Sequence, residues 1–199
     1  MKKILKIVSS VKGAASKSTQ LADAIIEQLI VRYPGSSVKV KDLTKEQYAH
    51  FDAAHLAAFR GVGDIEGVAA QEAGKASDDA IAELLEADII VLGVPLYNFH
   101  IPSTLKAWLD HVVRGGKTFS YAKGYPEGLV SGKKAYIALA SGAIYSEGPA
   151  KGMDFAPPYL QTMLNFIGIT DTQLIRAEGC DMPGVQDTAL EKALATLEV

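Results

Sequence analysis

The chain is poor in several features, and each scarcity removes a class of function. Its 199 residues include one cysteine, Cys180, so neither an internal disulfide nor a multi-cysteine metal site can form. That fits a reducing cytoplasm, the expected compartment. Charge of one sign is not in excess: 20 Lys and Arg face 23 Asp and Glu. No basic cluster suited to a phosphodiester backbone stands out, and nucleic acid is not an expected partner. No window approaches the roughly 20 apolar residues of a membrane-spanning helix, so no membrane association is expected. The opening "MKKILKIVSS" starts like a secretory leader, but Lys6 breaks the apolar run and no small-residue cleavage site follows at the right distance; it reads as a first strand. Both common nucleotide signatures are missing, the G-x-x-x-x-G-K loop followed by Ser or Thr and the G-x-G-x-x-G turn. Among His50, His55, His100 and His111, no pair has metal-ligand spacing with a further acid or cysteine nearby, so no metal is expected.

What is present is an alternation of apolar runs. The length suits a single domain over residues 1–199. "KKILKIVSS" is β-branched and apolar, and the helical segment after it sets Leu21, Ala22, Ile25, Ile26 and Leu29 at helical spacing before "YPGS" stops it. "SVKVKDL" alternates Val38 and Val40 with lysines, as an edge strand or one with a wetter face does. From Lys45 to Ala87 the composition turns to Ala, Glu and Asp, broken by Gly61, Gly63 and Gly67, with a firm helix from about Ser77 to Glu86. "ADIIVLGVP" and "KAYIALAS" suit central parallel strands buried on both faces. "STLKAWLDHVV" is helical, and "GGKTFSYAKGYPEGLVSGK" is an aromatic, Gly-rich excursion. "PPYLQTMLNFIG" gives a helix with prolines in its first turn, "TDTQLIRAEG" a fifth strand and "DTALEKALATLEV" a last helix. The pattern predicts an α/β fold, a doubly wound five-stranded parallel sheet with helices on both faces. Ligands of such sheets bind outside the carboxyl ends of the strands, where strand order switches, so three loops matter.

The first, "SSVKGAASKS", leads into a helix N-terminus whose free N–H groups and partial positive charge favour anions. Hydroxyls at Ser10, Ser16 and Ser18 suit a phosphate; a plain cap at Ser16 or Ser18 accounts for the same residues. The second, "PLYNFHIPS", offers backbone groups around Asn98 to the edge of a planar heterocycle, with Tyr97 and Phe99 as apolar walls, and it reads equally as core packing. The third, "ASGAIYSEG", puts small residues where a strand end must admit something close, Gly142 being the least encumbered, although a plain turn looks the same. The best candidate ligand is a phosphate monoester on a cofactor smaller than a dinucleotide.

Together the loops are more specific than any one alone. "SS" followed by "SKSTQLAD", the segment "PLYNFHIPSTLKAWLDHVVRGGKTFSY", "YPEGLVSGKKA" and "YLQTMLNFIGITD" resemble the flavodoxin-like FMN-dependent NADH:quinone oxidoreductases, or azoreductases, over nearly the whole chain. The resemblance implies that Ser10, Ser16, Lys17 and Ser18 hold the phosphate of FMN. It implies further that Leu96, Tyr97, Asn98 and Phe99 bind the isoalloxazine edge, and that Ala140, Ser141, Gly142 and Ala143 lie near the ring. Lys17 stands where the family often has a neutral residue and adds a charge-assisted contact. Ala143 replaces a frequent second glycine, and Ser141 an arginine of some members; both departures bear on substrate and nicotinamide preference.

The family reading is a two-step exchange with no catalytic side chain. NADH or NADPH delivers hydride to the flavin and leaves, and a quinone or azo compound takes its place. Phe119, Tyr121 and Tyr125, with Phe155, Tyr159 and Phe166 further on, would form a flat apolar pocket for these planar molecules; each also reads as an ordinary core or surface aromatic, and Phe166, within a helical apolar stripe, reads first as core. A second subunit completes the pocket in this family, which implies a homodimer. A flavodoxin-type electron carrier is the competing expectation, disfavoured by the near-neutral charge and the aromatic insertion. A solvent-facing or capping role is expected for His100, with a place flanking the ring pocket as the alternative, and Cys180 is read as a small buried hydrophobe.

Overall fold

The apolar runs become strands because helices cover them on two sides. The computed structural model, which describes residues 1–199, has seven strands: β1 (Lys3–Val8), β2 (Ser37–Asp42), β3 (Ile89–Pro95), β4 (Phe119–Ser120), β5 (Glu127–Gly128), β6 (Lys134–Ala140) and β7 (Asp171–Ala177). Five form a parallel sheet in the order β2-β1-β3-β6-β7, while β4 and β5 make a small antiparallel pair within the aromatic excursion. The helices are α1 (Lys17–Arg32), α2 (Ala53–Arg60), α3 (Val68–Glu86), α4 (Ser103–Val112), α5 (Ala156–Ile167) and α6 (Ala189–Leu194). Side chains alternate across a strand, and β3 divides accordingly. Ile89 and Val91 pack with α1 and α6, whereas Ile90, Leu92 and Val94 pack with α3, α4 and α5. The doubly wound arrangement with helices on both faces is as the pattern predicts. Leu21, Ala22, Ile25, Ile26 and Leu29 are all buried on α1, and β2 is the edge strand with Val38 and Val40 exposed.

The middle region departs from expectation. α3 begins at Val68 rather than near Ser77, because "VAAQEAGKA" is rich in strong helix formers and Gly74 is accommodated against Ala58 of α2. α2 itself was not foreseen in that region. The Asp52 carboxylate accepts the N–H groups of Ala54 at 2.9 Å and His55 at 3.2 Å, and Gly61 ends the helix at φ +65°. The last helix is also shorter than "DTALEKALATLEV", spanning only Ala189–Leu194.

Strand register lines up the carboxyl ends. Val8 pairs with Gly93, Pro95 with Ala140, and Ala140 with Ala177, so the chain leaves β1, β3, β6 and β7 along one edge. Gly93 is where α1 rests on the sheet: a Cβ there would lie 3.3 Å from the Ser18 carbonyl oxygen and 3.5 Å from Ala22 Cβ. Ser9 Oγ donates to the Gly93 carbonyl at 2.9 Å. Lys6, the charge inside β1, is buried and pairs with Asp23 of α1. Another glycine contact fastens the excursion: a Cβ on Gly128 would collide with the backbone of Gly168, and Val130 N–H donates to the Ile167 carbonyl at 2.8 Å.

Gly93→Ala should therefore press on the first turn of α1 and cost about 1–3 kcal/mol, as overpacking does. Urea unfolding measures it, and an unchanged midpoint would show that the turn yields freely.

Candidate functional site

After β1 the chain passes through a single 3-10 turn, Gly13–Ala15, before α1 starts. Ser16 is the N-cap: its Oγ accepts the Thr19 N–H at 3.3 Å and lies 3.0 Å from Ser18 Oγ. Two buried hydroxyls thus meet at a helix N-terminus. Ser10 Oγ accepts the Lys12 N–H at 3.3 Å and meets the Tyr97 hydroxyl at 3.2 Å, which ties the loop after β1 to the loop after β3.

That second loop is a tight hairpin. Tyr97 and His100 exchange backbone hydrogen bonds of 3.0 Å in both directions, with Asn98 at φ +48° and Phe99 at φ +66° between them. Two successive left-handed residues define a type I′ turn, which asparagine tolerates and phenylalanine does not. Such strain persists only where the surroundings over-determine it, and it clusters at functional sites. Leu96 N–H donates to the Ala140 carbonyl at 2.8 Å, fixing the hairpin to the end of β6. Phe99 is further held by Tyr145, edge-on with ring centroids 6.0 Å apart, and by Phe155, whose N–H donates to its carbonyl at 3.3 Å. The His100 ring lies tilted at 54° to that of Tyr159, with centroids 4.9 Å apart.

In the third loop Ser141 Oγ donates to the Ala143 carbonyl at 2.8 Å, and the segment after β7 closes over it. Cys180 N–H donates to the Ser141 carbonyl and Asp181 N–H to the Gly142 carbonyl, each at 3.0 Å. A Cβ on Gly142 would come within 2.5 Å of the Asp181 carboxylate, so the glycine serves the approach of Asp181.

These loops enclose a cavity of about 240 Å³. Ser10, Lys12, Ser16, Lys17 and Ser18 form one wall; Pro95, Leu96 and Tyr97 form a second. Ala140, Ser141 and Gly142 make a third, and Cys180 with Asp181 closes the space. The structure brings together most of the residues singled out from sequence, while Asn98, Phe99 and Ala143 stand on the same turns just outside the cavity lining. Lys12, Pro95, Cys180 and Asp181 are additions. Lys12 lies beside the serines and was open to the same charge argument; Cys180 and Asp181 arrive from β7, and only strand order brings them here. Lys12 and Lys17 join none of the molecule's ion pairs, leaving two free cations at the cavity. Burial pushes the Cys180 thiol up despite Lys17, so it sits there as a neutral group.

The aromatic residues behave differently. Phe119 packs on Phe166 at 4.6 Å and on Tyr121 at 5.7 Å, and Tyr125 is 58% exposed. Phe119 and Tyr121 line a separate hollow of about 350 Å³ together with Phe51 and Phe59. None of the six expected pocket residues lines the serine-lysine cavity.

Residues 2–199 match Flavodoxin_2, a family of flavodoxin-like fold. An FMN-dependent NADH:quinone oxidoreductase of Beijerinckia indica is 42% identical over 193 residues, covering 97% of this chain and 96% of its own. The chain belongs to the FMN-dependent NADH:quinone oxidoreductase family. The protein of the same name in Ralstonia nicotianae is 43% identical over 197 residues, covering 98% and 94% of the two chains. The crystal structure of an azoreductase from Bacillus anthracis is similar at a TM-score of 0.88 and 29% identity, over 98% of this chain and 96% of its own.

This member of the oxidoreductase family also has a larger cavity, about 830 Å³, between β2, α2 and α3. Its most buried charged groups are engaged with one another. Lys41 Nζ lies 2.8 Å from Glu83 and 3.1 Å from both Glu46 and the Tyr48 hydroxyl. His55 Nδ1 meets Asp52 at 2.7 Å, and His55 Nε2 meets His111 Nε2 at 3.1 Å. Burial holds the His111 imidazole below its ordinary range; its bond to the Ala107 carbonyl opposes this, and the neighbouring His55 adds to it. Its pKa is depressed in the folded state, so the unfolded chain binds a proton first as the pH drops through about 6.5. Stability should consequently fall between about pH 7 and pH 5, and His111→Gln should flatten that slope. Urea midpoints across this range test the assignment, and an identical slope in the variant would exclude His111 as the source.

Proposed function

We propose that residues 1–199 act as one FMN-binding domain that passes electrons from NADH to quinones and azo compounds, two at a time, and that two copies form the working enzyme. The observation carrying this reading is the junction of an anion cradle with a strained hairpin: Ser10, at the mouth of the cradle, touches Tyr97, the first residue of the Asn98–Phe99 turn. The donor set fits a phosphate monoester, with three hydroxyls, two uncommitted ammonium groups and the free amides of a helix N-terminus. Thr19 Oγ1, in the same first turn, is buried with no partner and is a spare polar group there. A volume of about 240 Å³ suits the phosphate end of FMN and leaves the ring to the hairpin beyond it.

Bound FMN supplies the hydride chemistry, taking electrons from the nicotinamide and yielding them to the acceptor. The chain binds and orients. Ser10, Ser16, Lys17 and Ser18 hold the phosphate, and Lys12 adds charge beside them. The backbone from Leu96 to Phe99 offers donors and acceptors to the polar edge of the ring, held still by the hydrogen bonds that frame the turn. Ala140, Ser141, Gly142 and Ala143 keep the neighbouring strand end small, so a flat molecule can approach. Nicotinamide and acceptor would use in turn the space that these small residues leave open. Phe119 and Tyr121 face a hollow separate from their own chain's cradle, which supports a homodimer in which these aromatics wall the site of the other copy. The exposed rings of Phe51, Tyr121, Tyr125 and Phe155 supply apolar surface for that contact.

Two measurements test the reading. Purified protein reconstituted with FMN should lose its yellow colour at catalytic speed when NADH is added without oxygen, and a slow or absent change leaves an electron carrier. NADPH beside NADH, across a panel of quinones and azo dyes, then ranks donors and acceptors. Replacing both Ser16 and Ser18 by alanine should weaken FMN binding about tenfold or more, through the loss of hydrogen bonds to a charged group. Folding stability should fall by only about 1 kcal/mol, the worth of a cap. A double variant that unfolds readily while its folded fraction keeps normal affinity would make the serines a cap alone.

A further inference from the structure

The carboxyl end of β7 carries a charged cluster that no part of the proposed reaction uses directly. Arg176 is sandwiched between two carboxylates, Nη2 against Asp154 and Nη1 at 3.1 Å from Glu178 Oε1, and all three side chains are largely buried. Asp154 Oδ1 has no partner, so Arg176 alone compensates that carboxylate. Glu178 Oε1 also accepts the backbone N–H of Tyr145 at 2.7 Å and of Ser146 at 2.9 Å. Those bonds and the Arg176 charge outweigh burial and hold its carboxyl below the usual range. One guanidinium therefore fastens two segments that are remote in sequence, the turn after β6 through Glu178 and the lead-in to α5 through Asp154.

Both segments converge on Phe99. Tyr145 sets its ring edge-on to the Phe99 ring, and Phe155, next to Asp154, donates its N–H to the Phe99 carbonyl. Phe99 is the residue least suited to its own backbone conformation, at φ +66°, and needs support from outside its turn. We propose that Arg176, with Asp154 and Glu178, forms a positioning cluster that clamps the Asn98–Phe99 turn from both sides and thereby sets how the turn presents its backbone to a planar ligand. Its consequence for turnover rests on the FMN reading above; the clamp itself does not.

The test separates the two. In flavin-free protein, hydrogen exchange followed by mass spectrometry reports on residues 97–100, 143–148 and 153–155. Arg176→Met and Glu178→Ala should lose protection in the Tyr145–Ser146 turn and also in the 97–100 hairpin, which neither residue touches. Glu178→Gln, which keeps an oxygen for the two amides, should restore protection of residues 145–146 and most of that in the hairpin. It also serves as the second variant if Glu178→Ala fails to fold. Loss confined to residues 145–146, with the hairpin as protected as in wild type, overturns the proposal. With FMN added, the same variants should keep the phosphate-anchored cofactor while the visible band of the bound flavin shifts. Their kcat/KM for a quinone should fall by up to roughly a hundredfold, as small misplacements of a reactant cost. An unshifted band and wild-type kcat/KM in Arg176→Met would equally count against the clamp. If wild type takes up no FMN, the functional reading fails and the exchange result still decides the clamp.

Discussion

The seating of α1 on β3 at Gly93 is the contact on which the rest of the molecule depends. A helix N-terminus concentrates free N–H groups and positive potential, but it becomes a binding site only when aimed at a place a ligand can reach. Here the absence of a side chain at Gly93 lets Ser18 and Ala22 approach the strand, while Ser9 Oγ donates to the Gly93 carbonyl. The first turn of α1 is thereby placed at the sheet edge where β3 ends two residues later, at Pro95. Parallel register then delivers the other loops to that edge without further provision.

Charge is handled in two contrasting ways. Lys6 and Lys41 are buried and committed, the first to Asp23 and the second to Glu83, Glu46 and Tyr48, and their cations belong to the structure. Lys12 and Lys17 are uncommitted and face the cavity together with the serine hydroxyls. A chain of near-neutral net charge thus holds a locally positive site. Capping by Ser16 does not use up the helix N-terminus, because its Oγ satisfies a single amide and leaves the others of the first turn available.

Legibility in the sequence followed the strength of burial. β3 and β6 are covered on both faces, and α1 carries an unbroken apolar stripe, so periodicity reveals all three. The region around α2 and α3 hides its structure, since alanine-rich helices bury small residues against each other and show little contrast between faces. Ser10, Ser16 and Ser18 could be singled out because topology marks the loop after β1 in advance, whereas Lys17 was singled out through the family resemblance; all four line the cavity. The roles of Cys180 and Asp181 depend on β7 lying beside β6, and the backbone strain at Phe99 has no signature in residue type. The aromatic residues illustrate a different limit: their chemistry is plain from sequence, but that Phe119 and Tyr121 line a hollow apart from the serine-lysine cavity is a property of three dimensions.

The junction of Gly128 with Gly168 reaches beyond packing. The excursion that carries Phe119, Tyr121 and Tyr125 is fastened at this point by main chain against main chain, through two residues that have no side chains to specialise. Anchor and contents are therefore separable. The aromatic positions can change while the attachment stays constant, which makes this stretch a separable cassette and an obvious one to exchange between relatives by design.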